Sequence, residues 1–346
     1  MRRAASILAL LALLPWTAAA DLFIVDYDGL TDYERIQDAI DAASDGDEIQ
    51  VLSFLSSTAV TFSGPGNTNL EITGKNLHIW APEGPDQTII DGGGASRAFL
   101  FAGVDSTTVV EGFTFRDCNS SGDGGAIQCF SASPRVADCV FEASSAAGGG
   151  GALRLSSGAT RVTNCVFRSN SAGLRGGAVD IESCDVVFER CTFSGNECYR
   201  GGAIFVNVGD VSVRRCTLVD NDADTGSSLR VGQGSVTIEQ SILAFGGSDP
   251  PLFLDNGSAE TFYSCVFGNS GGDSLAGDSH DNLFVDPLIC DLYGTGGGSM
   301  SLCSNSPCLS ANNAWHLPIG SKAQGCSDCD SPVTESSWGS IKALFR

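Results

Sequence analysis

Lysine is almost missing from this chain: Lys75, Lys322 and Lys342 are the only three in 346 residues. Histidine is limited to His78, His280 and His316, and charged residues of all kinds make up 17%. Nineteen basic residues stand against 41 acidic ones, a formal charge of −22. That balance excludes nucleic acid as a partner and disfavours docking to anionic lipid, because both are polyanions. Helical periodicity is missing as well, except over Thr31–Ala43. No apolar run after residue 20 is long enough to cross a bilayer, so no transmembrane segment is expected in the mature chain.

What the chain does have is glycine, 43 residues of it, and a repeat. GGAI at 124–127 returns as GGAL at 150–153, GGAV at 176–179, GGAI at 201–204 and GSSL at 226–229, with starts 26, 26, 25 and 25 residues apart. A second track runs through Phe113, Cys139, Cys165, Cys191, Cys216, Ser241 and Cys265. Phe115, Phe141, Phe167, Phe193, Leu218, Leu243 and Phe267 follow these two places later, and Asn170, Asn196 and Asn221 follow three of those after three more. A fixed period in this range marks a repeat architecture. Each unit holds short runs of period-two alternation, such as Ala178–Ile181 and Val187–Phe193, separated by Gly, Asn, Ser and Asp. Such runs are half-buried strands between turns. About 25 residues are too few for a propeller blade, and the leucine-rich frame is missing.

The pattern therefore predicts an all-β fold, a single-stranded right-handed parallel β-helix. Successive rungs rise about 4.8 Å, so equivalent residues stack as ladders. Cys139, Cys165, Cys191, Cys216 and Cys265 are expected to point inward as free thiols, since in-register Cβ atoms sit too far apart for a disulfide. The asparagines are expected to bond the amides of adjacent rungs at a corner. Ile36, Ala39, Ile40 and Ala43 give the helix at Thr31–Ala43 one apolar face, and Thr31 with Glu34 fits a capping box. This helix is expected to close the open end of the coil.

Four segments are expected. Residues 1–20 read as a signal peptide, with Arg2 and Arg3 before an apolar core and Ala18–Ala20 at the cleavage site. Residues 21–290 form the β-helix, 291–330 an irregular Cys-rich C-terminal cap, and 331–346 a linker and short tail. In the cap, Cys290, Cys303, Cys308, Cys326 and Cys329 are expected to be oxidised, as suits a secreted chain. Cys326 and Cys329 form a lone CxxC with no second pair and no neighbouring histidines, so no metal site is expected there. Cys118, Cys129, Cys184 and Cys198 fall near rung corners and cannot be paired from sequence.

Two rows are expected to face outward. Asp138, Asn164, Arg190 and Arg215 each precede the cysteine track by one residue. Gln128, Arg154, Asp180, Phe205 and Arg230 form the other row, a mixture able to bind sugar or to serve as a solvated sheet face. Arg154, Asp180, Phe205 and Arg230 are the ligand-binding candidates. Asp180 and Arg190 are the catalytic candidates if there is catalysis. Asp117, Asp123, Asp220, Asp222 and Asp224 lie near turns and are candidates for loose Ca²⁺ binding without the spacing of a known calcium loop; no cofactor is otherwise expected.

IQDAIDAASDGDEIQV at 36–51 followed by NLHIWAPEGPDQTIIDGGG at 76–94 resembles the opening of secreted β-helix proteins of the pectate-lyase-like superfamily. The GGA[ILV] and FxxN pairs resemble the repeats of polymorphic outer membrane proteins. NLFVDPLICD and NSPCLSANN resemble the end of bacterial right-handed β-helix repeat proteins, and the terminal SSWGSIKALFR is similar to short tails on surface-directed bacterial proteins. The resemblance implies a bacterial, secreted or cell-surface protein. It leaves activity open, because this superfamily hosts lyases, hydrolases and non-enzymatic surface proteins. The NTD, DD, GHG and RIK signatures of the hydrolases do not occur. The first expectation is a non-catalytic, adhesin-like or glycan-contacting solenoid. The alternative is a lyase or glycosidase acting on an acidic polysaccharide.

Overall fold

The computed structural model describes residues 20–53, 58–275, 278–290, 300–326 and 329. The signal peptide, the linker and the tail expected at 331–346 lie outside the described residues, apart from Ala20.

The alternating runs wind as a right-handed parallel coil of about 11 turns. A turn is seen well between Leu153 and Val179. Leu153–Thr163 runs along the first face, bends at Ser157 (φ 57°) and continues on the second. Val166–Arg168 lies on the third face, and Ser171–Ala172 is a short fourth ladder. Leu153 then pairs with Val179 on the rung above. The register sets each inward side chain on its equivalent in the next rung. Phe115, Phe141, Phe167 and Phe193 stack with ring centroids 4.9, 4.7 and 4.7 Å apart. All four are fully buried, in a core that runs the length of the coil.

Corners explain the residue types that interrupt the strands. Between the second and third faces stand Asp138, Asn164, Arg190, Arg215, Gln240 and Tyr263, all left-handed with φ between 51° and 56°. Such φ values are unusual for residues other than glycine, yet here they recur because one bend is stacked on another. The Gly-Gly corner makes two separate demands. Its first glycine has a positive φ, 58° at Gly176. Its second admits no side chain: a Cβ on Gly177 would lie 2.2 Å from the carbonyl oxygen of Gly202.

At the next corner Asn196 donates to the Phe167 carbonyl (3.0 Å) and to Asn221 Oδ1 (2.9 Å). Its Oδ1 accepts from the Asn170 amide nitrogen (3.1 Å) and from Asn170 Nδ2 (3.0 Å). Asn170 and Asn221 repeat the contact with the carbonyls of Phe141 and Phe193, both at 3.0 Å.

Cysteine has a similar place on the inner wall. Cys139, Cys165, Cys191 and Cys216 are buried free thiols, and burial pushes those of Cys165 and Cys216 well up. The Cys191 amide donates to Cys216 Sγ at 3.4 Å and the Cys216 amide to Ser241 Oγ at 3.0 Å. Ser241 reaches the Glu239 carbonyl at 2.9 Å, so the site already serves a hydroxyl. Cys191→Ser is therefore expected to cost no more than about 1 kcal/mol, read from the denaturant midpoint.

Three expectations need correction. Cys265 is not on the inner ladder. The last full rung is shorter, so Ser241 passes its amide bond to Ser264 Oγ (3.1 Å), while Cys265 pairs with Ile242. A shift of one residue turns a side chain to the opposite face, and Cys265 joins a second apolar cluster with Cys308 and Ile319. The helix spans Ile36–Ala42 only and has no capping box; Asn67 Oδ1 accepts from the Ile36 amide at 3.0 Å instead. Finally, Cys308 is a free thiol, whereas Cys290 bonds Cys326 and Cys303 bonds Cys329.

The described part of the cap also lies where the repeat did not point. It straps back along the outside of the third face: Ser321 Oγ contacts Thr192 Oγ1 at 2.8 Å and donates to Thr217 Oγ1 at 3.0 Å, and the Gly320 amide donates to the Gln240 carbonyl at 2.7 Å. Val219, Ile242 and Ala244, which would otherwise face water, are buried beneath it.

Candidate functional site

The row Gln128, Arg154, Asp180, Phe205, Arg230 is continuous, each member pairing with the next across the first face. It points away from the core, yet it is covered. Arg154 is 8% exposed, Asp180 0% and Phe205 4%. The Gly-Gly corners fold over them, and a Cβ on Gly149 would lie 1.9 Å from Asp180 Oδ2.

Beneath that cover the charges answer one another. Arg154 Nη1 bonds Asp180 Oδ2, and Arg175 Nη2 approaches the same oxygen at 3.3 Å. Glu182 receives Arg154 Nη2 at 3.5 Å and Arg175 Nη1 at 3.4 Å, and Asp123 lies 3.8 Å from Arg154 Nε. Arg175 also caps the Phe205 ring at 5.3 Å. Further up, Arg230 grips Asp255 at 3.0 and 2.7 Å and covers Phe253 at 5.0 Å. Burial pushes the Asp180 carboxyl up to about 6, against the pull of Arg154 and Arg175. A shifted carboxyl is often a mark of catalysis. Here Asp180 itself has no accessible surface for a substrate to reach, whereas Arg175, Glu182 and Asp123 at the edge of the network are partly exposed.

Arg190 does not join it. Arg190 occupies the left-handed corner beyond the end of Val179–Glu189, so most of that 11-residue strand separates it from Asp180. It is exposed and makes no ion pair among the described residues. Nor do the turn aspartates gather. Asp123 is engaged with Arg154 and with the Gly149 amide (2.7 Å), and Asp222 begins the strand Asp222–Thr225.

The open surface is on the second face. Its outer row runs Val109, Arg135, Arg161, Val187, Ser212, Thr237, Glu260 in register. A shallow groove of about 380 Å³ follows that row, with Arg135, Arg161, Ser212 and Thr237 on its floor and Asp185 and Asp210 on one rim. Asp185 Oδ1 accepts from the Asp210 amide at 2.9 Å, and Asp210 Oδ1 accepts from Ser235 Oγ at 2.6 Å, which holds the rim in shape. Arg161 reaches only Glu189, at 3.3 Å, and Arg135 has no ion pair among the described residues. Both guanidinium groups are exposed. Sequence reasoning missed this face. The available signal was that Arg135 and Arg161 stand 26 residues apart at the same place in consecutive repeats.

Parallel pairing, stacked left-handed corners and inward ladders define the chain as a right-handed parallel β-helix. The family described as right handed beta helix region matches residues 94–289, more than half of the sequence, and the chain belongs to that family. No curated protein matches it. Among solved structures, the PL6 family alginate lyase AlyGC, in a mutant form, is similar at 11% identity with a TM-score of 0.22. That comparison covers 91% of this chain, which spans 58% of the length of the other.

Proposed function

We propose that this chain is a non-catalytic, secreted or surface-displayed β-solenoid that contacts glycan along the groove of its second face. The observation that carries the reading is the division of charge between the two faces. The Arg154–Asp180 network spends its charge internally and out of reach, whereas Arg135 and Arg161 stand one rung apart with free donors beside the carboxylates of Asp185 and Asp210. Donors and acceptors spaced along a shallow trough suit a chain rich in hydroxyl groups. Overall acidity disfavours a polyanion, so a neutral or weakly charged glycan is the better fit.

A glycan array followed by titration tests this. Arg135→Ala and Arg161→Ala are each expected to weaken binding at least about tenfold, the cost of one lost charge-assisted hydrogen bond. No new reducing ends or unsaturated products should accumulate. Binding untouched by both substitutions, or turnover of the bound glycan, would overturn the reading.

A further inference from the structure

The cap holds a cluster that neither the coil nor the groove uses. Leu302–Cys303 and Gln324–Cys326 lie side by side as parallel strands, with Cys303 opposite Cys326. Cys290 is bonded to Cys326 and Cys303 to Cys329, with Cα–Cα distances of 6.5 and 5.8 Å. The two bridges touch: the sulfurs of Cys290, Cys303 and Cys326 all lie within 4.8 Å of one another. The fourth sulfur, that of Cys329, lies outside that span but is bonded to Cys303.

Three sulfurs within 4.8 Å of one another, with the fourth bonded to one of them, are closer than two separate staples need. A tetrahedral thiolate site with Zn–S bonds of about 2.3 Å sets its sulfurs roughly 3.8 Å apart, inside the 4.8 Å span of the three clustered sulfurs once the bridges open. Cys326 and Cys329 supply the two-residue-spaced pair that zinc sites use. In sequence this pair is alone; the fold brings Cys290 and Cys303 to it as the other two ligands.

We propose that, when its bridges are reduced, this cluster binds one zinc-class divalent cation through the thiolates of Cys290, Cys303, Cys326 and Cys329. A dithiol or phosphine reductant supplies two electrons to each bridge and is itself oxidised, to a disulfide or a phosphine oxide. The sulfurs take up two protons per bridge. Binding the cation then releases those four protons as the thiols become thiolates. The cap would thus be closed by metal where thiols persist and by disulfides where they do not.

The test uses the full chain, reduced with a phosphine and desalted without oxygen. Zn²⁺ is titrated and counted, then Co²⁺ is used as a spectroscopic probe, with far-ultraviolet circular dichroism as the check on the coil. The expected result is one metal per chain, with the sulfur-to-cobalt charge-transfer band and the visible bands of tetrahedral Co²⁺. Cys326→Ser and Cys329→Ser should each abolish stoichiometric binding while the β signal remains. Cys308→Ser, a buried thiol outside the cluster, should leave it intact. Less than stoichiometric binding, a cobalt spectrum without the charge-transfer band, or binding that survives Cys326→Ser and Cys329→Ser would overturn the proposal. So would loss of the β signal on reduction that metal does not restore.

Discussion

Replacing Asn196 with leucine is expected to lower the stability of the coil by at least about 2 kcal/mol. The two side chains are similar in volume, so little of this comes from a cavity. It comes from the groups left behind. Asn196 serves four partners on the two neighbouring rungs: the Phe167 carbonyl, Asn221 Oδ1, the Asn170 amide and Asn170 Nδ2. Leucine serves none of them; Asn170 Nδ2 keeps the Phe141 carbonyl and Asn221 Oδ1 keeps the backbone amide of residue 196, but the Asn170 amide and the Phe167 carbonyl lose their side-chain partner, at about 1–3 kcal/mol each. Ser144 lies at the start of the ladder, where its amide donates to Asn170 Oδ1 and its hydroxyl to the nearby Glu142 carbonyl at 3.4 Å, so Ser144→Ala should cost far less. Denaturant midpoints at constant slope decide the matter. A loss below about 1 kcal/mol for Asn196→Leu would mean that the corner is held by stacking alone.

The second large effect is one of pH. The Asp180 carboxyl is raised to about 6 in the folded coil from an ordinary value of 3.8, because burial outweighs Arg154 and Arg175; Asp123 adds to the rise. Between those values the folded state holds a proton that the unfolded chain has released. The contribution to stability is therefore complete below about pH 4 and is lost as pH rises through about 6. A rise from 3.8 to about 6 corresponds to about 3 kcal/mol. Asparagine does not titrate, so the stability of the natural chain relative to Asp180→Asn should fall by about 3 kcal/mol from pH 4 to pH 7. Parallel denaturation series across that range test it, and a constant difference would show that Asp180 stays ionised throughout.

The fold was largely legible because the β-helix writes its geometry into the period. The spacing of Phe141, Phe167 and Phe193 is the vertical contact itself, and the asparagines three places later mark one corner. Where one rung lost two residues, a neighbouring cysteine imitated the ladder: Cys265 sits one place beyond Ser264, the true successor of Ser241. Alternation placed Arg154 and Asp180 outside the core, and they are. It could not say that the Gly149 corner would fold over them, since how far a corner overhangs depends on loop path and not on period. The strap was illegible for the same reason, because nothing in residues 300–326 repeats. Its landing place left a trace in hindsight: Val219, Ile242 and Ala244 are apolar on a face that earlier rungs cover with Arg116, Glu142 and Arg168.

That landing place also limits how this molecule can grow. Among the described residues the strap's hydrogen bonds reach no earlier than Thr192, and the rungs that precede it are anchored to their neighbours. Duplicating or deleting one whole unit between Gly125 and Gly151 would then lengthen or shorten the rod by a single step and leave both ends undisturbed. The same edit between Thr192 and Ile242 would pull the strap off its footing. Variation in length among descendants of this chain should therefore gather in the first half of the coil.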